Sequence, residues 1–269
     1  PYTGHQPYID YMLNYPIGLH SVRPPLYDWS VAVSGIAFAP LFGSVDVSVW
    51  YSFLFSTAIW GALTIFPLYF MTKEAFGRRV GLLAAFFLAI MPAHIQRSPL
   101  TNGDHDSFVL FFVVLAFYFF LKALKSLEEK EWIKSWKRPW AALKEFRVFL
   151  VENRKPVLYS AMAGLSIGAI ALSWTGFSYV VVILLVFYIV QILLNRLKNR
   201  DSFGLIACFT ITIGVGLLVS LPFYASYLRI SGWFDTPLYM LLIAIVFGMV
   251  FLLTKKYPWT IAVPSVFIV

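Results

Sequence analysis

The sequence is poor in charge and nearly without cysteine. Only 13% of its 269 residues are Asp, Glu, Lys or Arg, whereas soluble domains carry about 25%. The single cysteine, Cys208, lies within an apolar run, which excludes a disulfide framework. The first residues lack the basic and apolar regions of a signal peptide. Because the chain also ends in Ile-Val inside an apolar stretch, we expect a fragment cut at both ends.

Apolar side chains are correspondingly abundant. They make up 60% of the chain, aromatic residues alone make up 19%, and the mean hydropathy is +0.77. These values are typical of a polypeptide whose main solvent is a lipid bilayer. A membrane-spanning helix needs about 20 mostly apolar residues, and the segments that approach this are 48–72, 80–96, 107–124, 157–173, 177–194, 202–226, 237–254 and, cut short, 257–269. The sequence therefore predicts an all-α, polytopic membrane protein with about eight transmembrane helices.

Two regions differ from these spans. Residues 1–46 are rich in Pro, Gly, Tyr, His and Asp, and the short apolar piece 29–42 inside them is interrupted by glycine and proline. This piece predicts a buried or interfacial helix rather than a span. We expect 1–46 to be part of an external loop and 47–269 part of a transmembrane domain. Residues 125–156 mix tryptophan with basic and acidic residues, which predicts a cytoplasmic amphipathic helix or a solvated helical hairpin.

The basic residues are unevenly distributed among the loops. Of the 21 Lys and Arg, 18 fall in alternate loops, which the positive-inside rule places in the cytoplasm. The other three, all four histidines and six of the seven aspartates fall on the opposite side, whereas every glutamate lies on the lysine-rich side. The pattern predicts a multi-pass protein of the cell membrane with its ionisable chemistry on the extracytoplasmic face. Binding to nucleic acid is not expected, because the basic residues form no stripe interleaved with stacking aromatics.

The strongest candidate for chemistry is the stretch Arg97-Ser-Pro-Leu-Thr-Asn-Gly-Asp104-His105-Asp106-Ser, which joins two predicted spans on that face. Two carboxylates flanking an imidazole supply ligands for Mg²⁺ or Mn²⁺. Gly103 allows a tight turn before them, and Arg97 is placed to pair with Asp106 or to bind an anion. The residues alone leave other roles open, since Asp106 also suits a helix N-cap and Arg97 an interfacial, snorkelling arginine.

Two further segments lie on the same side. Residues 15–29 carry His20 in a loop that its prolines stiffen, and this histidine has either a site role or a structural one. Residues 174–179, Trp-Thr-Gly-Phe-Ser-Tyr, form a tight turn between two predicted spans. Aromatic rings at this depth anchor a protein at the membrane interface, and they can also line a groove for a lipid-borne sugar.

Together these motifs resemble the catalytic subunit family of oligosaccharyltransferases, whose archaeal form is called AglB. The pattern Arg97-x6-Asp104-x-Asp106 at the outer end of a span is similar to the second Asp-x-Asp motif of that family. Residues 15–18 (Tyr-Pro-Ile-Gly) and 24–29 (Pro-Pro-Leu-Tyr-Asp-Trp) resemble its first external loop. Residues 174–179 resemble the turn between its fifth and sixth spans. The resemblance extends over most of the chain, and the order of the motifs agrees with the family.

The resemblance implies a membrane fold of the GT-C glycosyltransferase type and a specific reaction. A glycan would move from a polyprenyl (dolichyl) phosphate or diphosphate carrier to the Asn of Asn-x-Ser/Thr in an acceptor polypeptide, with Mn²⁺ or Mg²⁺ as cofactor. The mapping makes Asp104, His105 and Asp106 candidate metal ligands, Arg97 and Asp106 catalytic residues, and Tyr179 a contact of the donor. Trp174, in the same turn, and His20, in the outer loop, are expected as further substrate contacts.

The mapping also places essential parts of such an enzyme outside this chain. A first catalytic aspartate, a catalytic glutamate in a later external loop and a Trp-Trp-Asp motif are expected beyond its ends, so the fragment alone is expected to be inactive. Two alternatives remain. Another GT-C glycosyltransferase, using a polyprenyl-phosphate sugar and a different acceptor, would share the outer acidic residues. A transporter would require ionisable residues near the middle of the bilayer and internal repeats, whereas the mid-span positions here are apolar.

Overall fold

The computed structural model describes residues 9–10, 16–20, 24–100, 102–127, 139–226, 233–254 and 257, and most of these are helical. The helices are α1 (Leu26–Phe42), α2 (Val45–Phe76), α3 (Arg78–Ile90), α4 (Pro92–Arg97), α5 (Asp106–Lys125), α6 (Pro139–Glu152), α7 (Arg154–Ala171), α8 (Ser178–Leu197), α9 (Phe203–Ser226) and α10 (Asp235–Leu253), with a 3₁₀ turn at Thr175–Phe177. Two short antiparallel strands, β1 (Ile9–Asp10) and β2 (Leu19–His20), pair with Ile9 opposite His20. Helices satisfy their own backbone hydrogen bonds, as a lipid solvent requires, and the predicted fold class is confirmed.

Local signals explain where the first helices begin and end. Gly43, with φ of +72°, ends α1, and its N–H donates to the Ala39 carbonyl oxygen at 3.0 Å. The Ser44 hydroxyl caps α2 by accepting a hydrogen bond from the Val47 N–H at 3.3 Å. Gly77, with φ of +93°, separates α2 from α3. A conformation that favours glycine thus lets α3 turn back and pack along α2.

Five described helices are long and apolar enough to cross a membrane: α2, α5, α8 with its preceding 3₁₀ turn, α9 and α10. The predicted span 80–96 is instead broken at Met91, whose backbone is extended before Pro92 starts α4, because proline disfavours a helical conformation in the residue before it. The predicted span 157–173 corresponds to α7, which begins with two basic residues and is not among the five. The predicted eighth span, 257–269, lies outside the described residues except for Tyr257.

Helix α1 matches the interrupted apolar piece 29–42. With 17 residues it is shorter than a span, and it lies against α2, where a methyl group at Gly35 would come within 2.4 Å of Val49. Its outer side exposes apolar residues such as Ile36 and Leu41. An apolar outer surface is what lipid contact requires, so α1 suits the interfacial position predicted for it. The predicted loop boundary at 46/47 falls two residues inside α2.

The core of the bundle is formed where α7 packs between α5 and α9. Glycines bring α7 and α9 together, since a methyl group at Gly164 would lie 2.6 Å from the Thr212 carbonyl oxygen and one at Gly216 would lie 2.8 Å from Ile167. Small residues allow such close approach of helices in membranes, where dispersion contacts replace the hydrophobic driving force. The Thr212 hydroxyl also donates to the Ser160 carbonyl oxygen across the two helices, at 3.2 Å.

The basic segment 125–156 contains α6 within its described part. Phe146 and Phe149 pack edge-on against Phe203 with ring centroids 6.1 and 5.1 Å away, whereas Lys144 and Arg147 are exposed. The described part of α6 is therefore amphipathic, and the amphipathic character of the whole segment stays a prediction. Residues 128–138 and the side chains of 139–143, which include the three tryptophans of the segment, lie outside the described part, and contact with the inner leaflet stays a prediction.

Candidate active site

The acidic motif occupies the loop between α4 and α5, where its three side chains converge. One ligand atom from each of Asp104, His105 and Asp106 lies within 4.8 Å of the others, and all three residues are half-buried. An Asp104 carboxylate oxygen is 2.8 Å from Nδ1 of His105 and accepts a hydrogen bond from the His105 backbone N–H at 2.7 Å. A proton on Nδ1 leaves Nε2 as the basic ring nitrogen, the form in which histidine binds metals.

Arg97 meets this cluster from the end of α4. Its Nη1 lies 3.0 Å from an Asp106 carboxylate oxygen, and the two side chains are 68% and 39% exposed. The backbone of Arg97 is also fixed, because its carbonyl oxygen accepts a hydrogen bond from the Ser107 hydroxyl at 3.0 Å. A charge pair this exposed contributes little to stability. Its effect is to hold a guanidinium and a carboxylate in a defined relative orientation beside the other two groups.

The turn before the cluster rests on α2. Gly103 has φ of +57°, and a methyl group there would lie 2.2 Å from the Phe53 ring. Only glycine satisfies both conditions, the backbone conformation and the absence of a side chain. The sequence predicted a tight turn here from Gly103 itself. Its aromatic partner on α2 is a feature of the tertiary structure.

Tyr27 supports the cluster from α1 and was not singled out by the sequence. Its ring is almost fully buried, with the centroid 6.5 Å from that of His105 and 5.7 Å from that of Phe108. The Ser56 hydroxyl donates to the Phe53 carbonyl oxygen, so the Tyr27 hydroxyl donates to Ser56, at 2.8 Å. Its position within the Pro-Pro-Leu-Tyr-Asp-Trp motif is the sequence signal by which it could have been found.

The predicted substrate-contacting aromatics form a second, separate group. Trp174 and Tyr179 stack with ring centroids 6.1 Å apart and an interplanar angle of 20°. Tyr179 is 69% exposed, and Gly176 fits under the indole, where a methyl group would lie 2.3 Å from the ring. The backbone of His20 lies in β2, whereas its side chain is outside the described residues. The structure thus brings Arg97 together with the acidic motif, and Trp174 and Tyr179 contact each other.

The acidic motif and most of the basic side chains lie at opposite ends of the helices. At the acidic end, the Leu26 N–H donates to the Leu172 carbonyl oxygen at 2.8 Å and connects the start of α1 to the end of α7. At the other end, Arg196 donates to the Thr254 carbonyl oxygen at 2.8 Å and connects α8 to the end of α10. This second end holds the described basic side chains Lys73, Arg78, Arg79, Lys122, Lys125, Lys144, Arg147, Arg154, Lys155, Arg196, Lys198 and Arg200. In the described part of the chain, the basic side chains other than Arg97 thus lie at the end opposite the acidic motif, and the side of the membrane to which each end belongs stays a prediction.

Comparison with known proteins agrees with this arrangement. The family model described as "Oligosaccharyl transferase STT3, N-terminal" matches residues 2–265. The chain is 28% identical over 242 residues to dolichyl-phosphooligosaccharide-protein glycotransferase 3 of Archaeoglobus fulgidus. The aligned region covers 89% of this chain and 26% of that protein. It is 27% identical over 241 residues to the dolichyl-monophosphooligosaccharide–protein glycotransferase AglB of Haloferax volcanii, with coverage of 87% and 21%.

Solved structures show the same fold. The archaeal oligosaccharyltransferase AglB from Archaeoglobus fulgidus, in complex with an inhibitory peptide and a dolichol-phosphate, superposes with a TM-score of 0.73 at 26% identity, over 92% of this chain and 27% of that one. The Archaeoglobus fulgidus oligosaccharyltransferase in complex with Zn and sulfate gives a TM-score of 0.71 at 26% identity, over 92% and 29%. The chain spans about a quarter of the length of these relatives. Because the family match extends over nearly all of its residues, the chain belongs to the STT3 oligosaccharyltransferase family and corresponds to part of its N-terminal membrane region.

Proposed function

We propose that this chain is part of an oligosaccharyltransferase that moves a glycan from a polyprenyl (dolichyl) phosphate or diphosphate carrier to the Asn of Asn-x-Ser/Thr in acceptor polypeptides. The observation that carries the proposal is the convergence of Asp104, His105 and Asp106 within 4.8 Å, with Arg97 at 3.0 Å from Asp106. The site lies at the helix ends opposite the lysines, and the positive-inside rule assigns such ends to the extracytoplasmic face.

The donor set fits a divalent cation. Two carboxylates and one imidazole are ligands that Mn²⁺ accepts, and the oxygens also suit Mg²⁺. Both ions prefer about six ligands, so three from this loop leave positions for water, for phosphate oxygens of the carrier or for other parts of the whole protein. Half-burial of the three groups limits competition from solvent without closing access. A bound cation would supply positive charge that stabilises the departing phosphate.

The remaining groups of the chain bind and orient the reactants. In the proposed reaction the acceptor amide nitrogen attacks the anomeric carbon, the bond from that carbon to the phosphate oxygen breaks, and the phosphate or diphosphate leaves. Asp106 accepts a hydrogen bond from the acceptor amide, which draws electron density toward nitrogen, and the departing amide proton passes to a carboxylate. Arg97 orients Asp106 through their contact. Trp174 and Tyr179, with His20, contact the lipid-borne donor.

The structure disfavours the transporter alternative. In the described part of the chain, the charged side chains of the five spans lie within the first two or last four residues of each helix. A transporter path needs ionisable groups near the middle of the bilayer. Another GT-C glycosyltransferase remains the alternative enzyme, and its distinguishing feature is the acceptor, which would be other than an Asn-x-Ser/Thr peptide.

The test uses the full-length protein that contains this chain. We expect Mn²⁺- or Mg²⁺-dependent transfer of glycan from a lipid-linked donor to an Asn-x-Thr peptide, and we expect Asp104→Ala to abolish both the transfer and the metal response. Asp235→Ala is the matched control, because Asp235 is also the first acidic residue before an apolar span but is not a member of the cluster, and it should leave transfer intact. The proposal would be refuted if Asp104→Ala transferred glycan at the wild-type rate. It would also be refuted if the wild-type protein transferred no glycan to the peptide.

A further inference from the structure

We infer that Thr57 and His94 are positioning residues, and that one face of α2 sets the geometry of the acidic loop. Phe53, Thr57 and Gly61 follow one another at intervals of four residues, which aligns them on one side of the helix. Each of them contacts a different point of the chain that carries Arg97 and Asp104. The inference rests on the proposed function, because it concerns the same site.

Thr57 holds the middle of the loop. Its side chain is fully buried, and its hydroxyl donates to the Pro99 carbonyl oxygen at 2.8 Å. Threonine hydroxyls in membrane helices commonly bond to their own helix, as Thr64 does by donating to the Trp60 carbonyl oxygen at 2.8 Å. The Thr57 hydroxyl instead donates to a loop residue 42 positions away in sequence. The same carbonyl oxygen accepts the Asn102 N–H at 3.4 Å, so the Thr57 hydroxyl attaches the turn that precedes the acidic motif to α2.

His94 and Gly61 hold the start of the loop. The buried His94 lies with Nε2 3.2 Å from the Gly61 carbonyl oxygen, and since a carbonyl only accepts, Nε2–H is the donor. A methyl group at Gly61 would lie 2.5 Å from Cβ of Ser98, whose hydroxyl donates to the His94 carbonyl oxygen at 2.7 Å. The absence of a side chain at Gly61 therefore allows α4 to seat on α2. The break at Met91 turns α4 toward this contact.

These anchors bear directly on the site. Arg97 lies between His94 and Pro99, so both of its flanking segments are fixed to α2, and Phe53 fixes Gly103 immediately before Asp104. The three candidate metal ligands lie at one end of this loop, and Arg97, which contacts Asp106, lies at the other. A shift of about 1 Å in a site of this kind is enough to lower its activity by a large factor. The α2 face thus determines how the two ends of the loop meet.

The first experiment compares Thr57→Val with Thr64→Val in the full-length protein. Both threonines are fully buried in α2, and the substitution keeps the shape of each. We expect Thr57→Val to weaken Mn²⁺ binding, followed by the electron paramagnetic resonance signal of free Mn²⁺, by about fivefold, the factor that corresponds to one net hydrogen bond. Amide hydrogen exchange at Asn102 to His105 should accelerate by a similar factor. Thr64→Val should change neither quantity, and Thr57→Ser, which retains the hydroxyl, should restore both.

The second experiment tests the contact at Gly61 and does not depend on the hydroxyl. Gly61→Ala should displace Ser98 and accelerate exchange in the loop, whereas Gly214→Ala, at a span glycine with nothing within 4 Å of the added methyl group, should not. Adding Ser98→Gly to Gly61→Ala removes the clashing atom and should bring exchange back toward that of Ser98→Gly alone.

The outcomes separate this inference from the proposed function. Failure of the wild-type protein to transfer glycan or to bind Mn²⁺ would refute the proposed function, while exchange at the loop amides would still report on positioning. Equal exchange and equal Mn²⁺ affinity in Thr57→Val and Thr64→Val would overturn the inference. The inference would also be overturned if the loop amides of Gly61→Ala and Gly214→Ala exchanged at the same rate. A drop in kcat without a change in the KM for the peptide, confined to the Thr57 and Gly61 variants, would support it.

Discussion

Replacing Gly103 with alanine is expected to destabilise the folded protein by about 2–5 kcal/mol through two separable effects. The first is backbone conformation, because φ at this position is +57° and the left-handed region costs an L-residue about 1–2 kcal/mol. The second is steric, because the added methyl group would lie 2.2 Å from Cζ of Phe53. Overpacking of this kind costs about 1–3 kcal/mol when neighbours must move.

Gly43→Ala is the matched control for the first effect. Gly43 has φ of +72°, and nothing lies within 4 Å of the methyl group that the substitution would add. It is expected to lose only the conformational part, about 1–2 kcal/mol. The difference between the two variants therefore isolates the contact with Phe53. Because that contact lies directly before Asp104, Gly103→Ala should also weaken Mn²⁺ binding, whereas Gly43→Ala should leave it unchanged.

The assay is thermal or denaturant unfolding of the full-length protein in detergent, with Mn²⁺ affinity measured in parallel. Phe53→Leu replaces the ring with a smaller side chain and so makes room for the added methyl group. In a double-mutant cycle, the double variant should therefore be more stable than the sum of the two single effects by at least about 1 kcal/mol, since the two residues are in contact. Equal destabilisation by Gly103→Ala and Gly43→Ala, or additivity of Gly103→Ala with Phe53→Leu, would contradict the reasoning.

Three further predictions follow from exposure and packing. Arg97→Gln should change the free energy of unfolding by less than about 1 kcal/mol, because its pair with Asp106 is solvent-exposed. It should nevertheless lower glycan transfer. A large loss of stability in unfolding experiments would show instead that the pair is structural. Tyr179→Ala should leave stability within about 0.5 kcal/mol of wild type and raise the KM for the lipid-linked donor, and an unchanged KM would remove Tyr179 from the donor site. Gly164→Ala should cost about 1–3 kcal/mol by separating α7 from α9, whereas Gly214→Ala, where nothing lies within 4 Å of the added methyl group, should cost clearly less. Similar losses would argue against close packing at Gly164.

The acidic motif could be predicted from sequence because its members are neighbours in the chain. Asp104, His105 and Asp106 are consecutive residues, so their side chains start close together, and a short loop keeps Arg97 near them. The supporting residues could not be found in this way. Tyr27 and Thr57 belong to other helices. Only its place in the motif 24–29 marks Tyr27, and nothing in its local sequence distinguishes Thr57 from the other hydroxyl side chains of the spans.

The limits of the span prediction have a similar cause. Hydropathy over 80–96 indicated one helix, but the local conformational preference imposed by Pro92 divided it into α3 and α4. Residues 157–173 correspond to α7, which runs from the lysine-rich end to the acidic end and packs Gly, Ser and Ala against its neighbours. Average apolar character measures transfer from water to lipid, and it does not register which neighbours a helix acquires.

By itself, the sequence determined the solvent, the class of fold and the sidedness of the charges. These properties depend on composition and on the order of apolar and basic segments along one chain, and the bilayer acts on each segment separately. Tertiary structure alone decided the packing of α7 on α9, the support of His105 by Tyr27 and the seating of the acidic loop on α2. Those contacts join residues far apart in sequence, and their energies depend on distances of a few tenths of an ångström that only the assembled helices define.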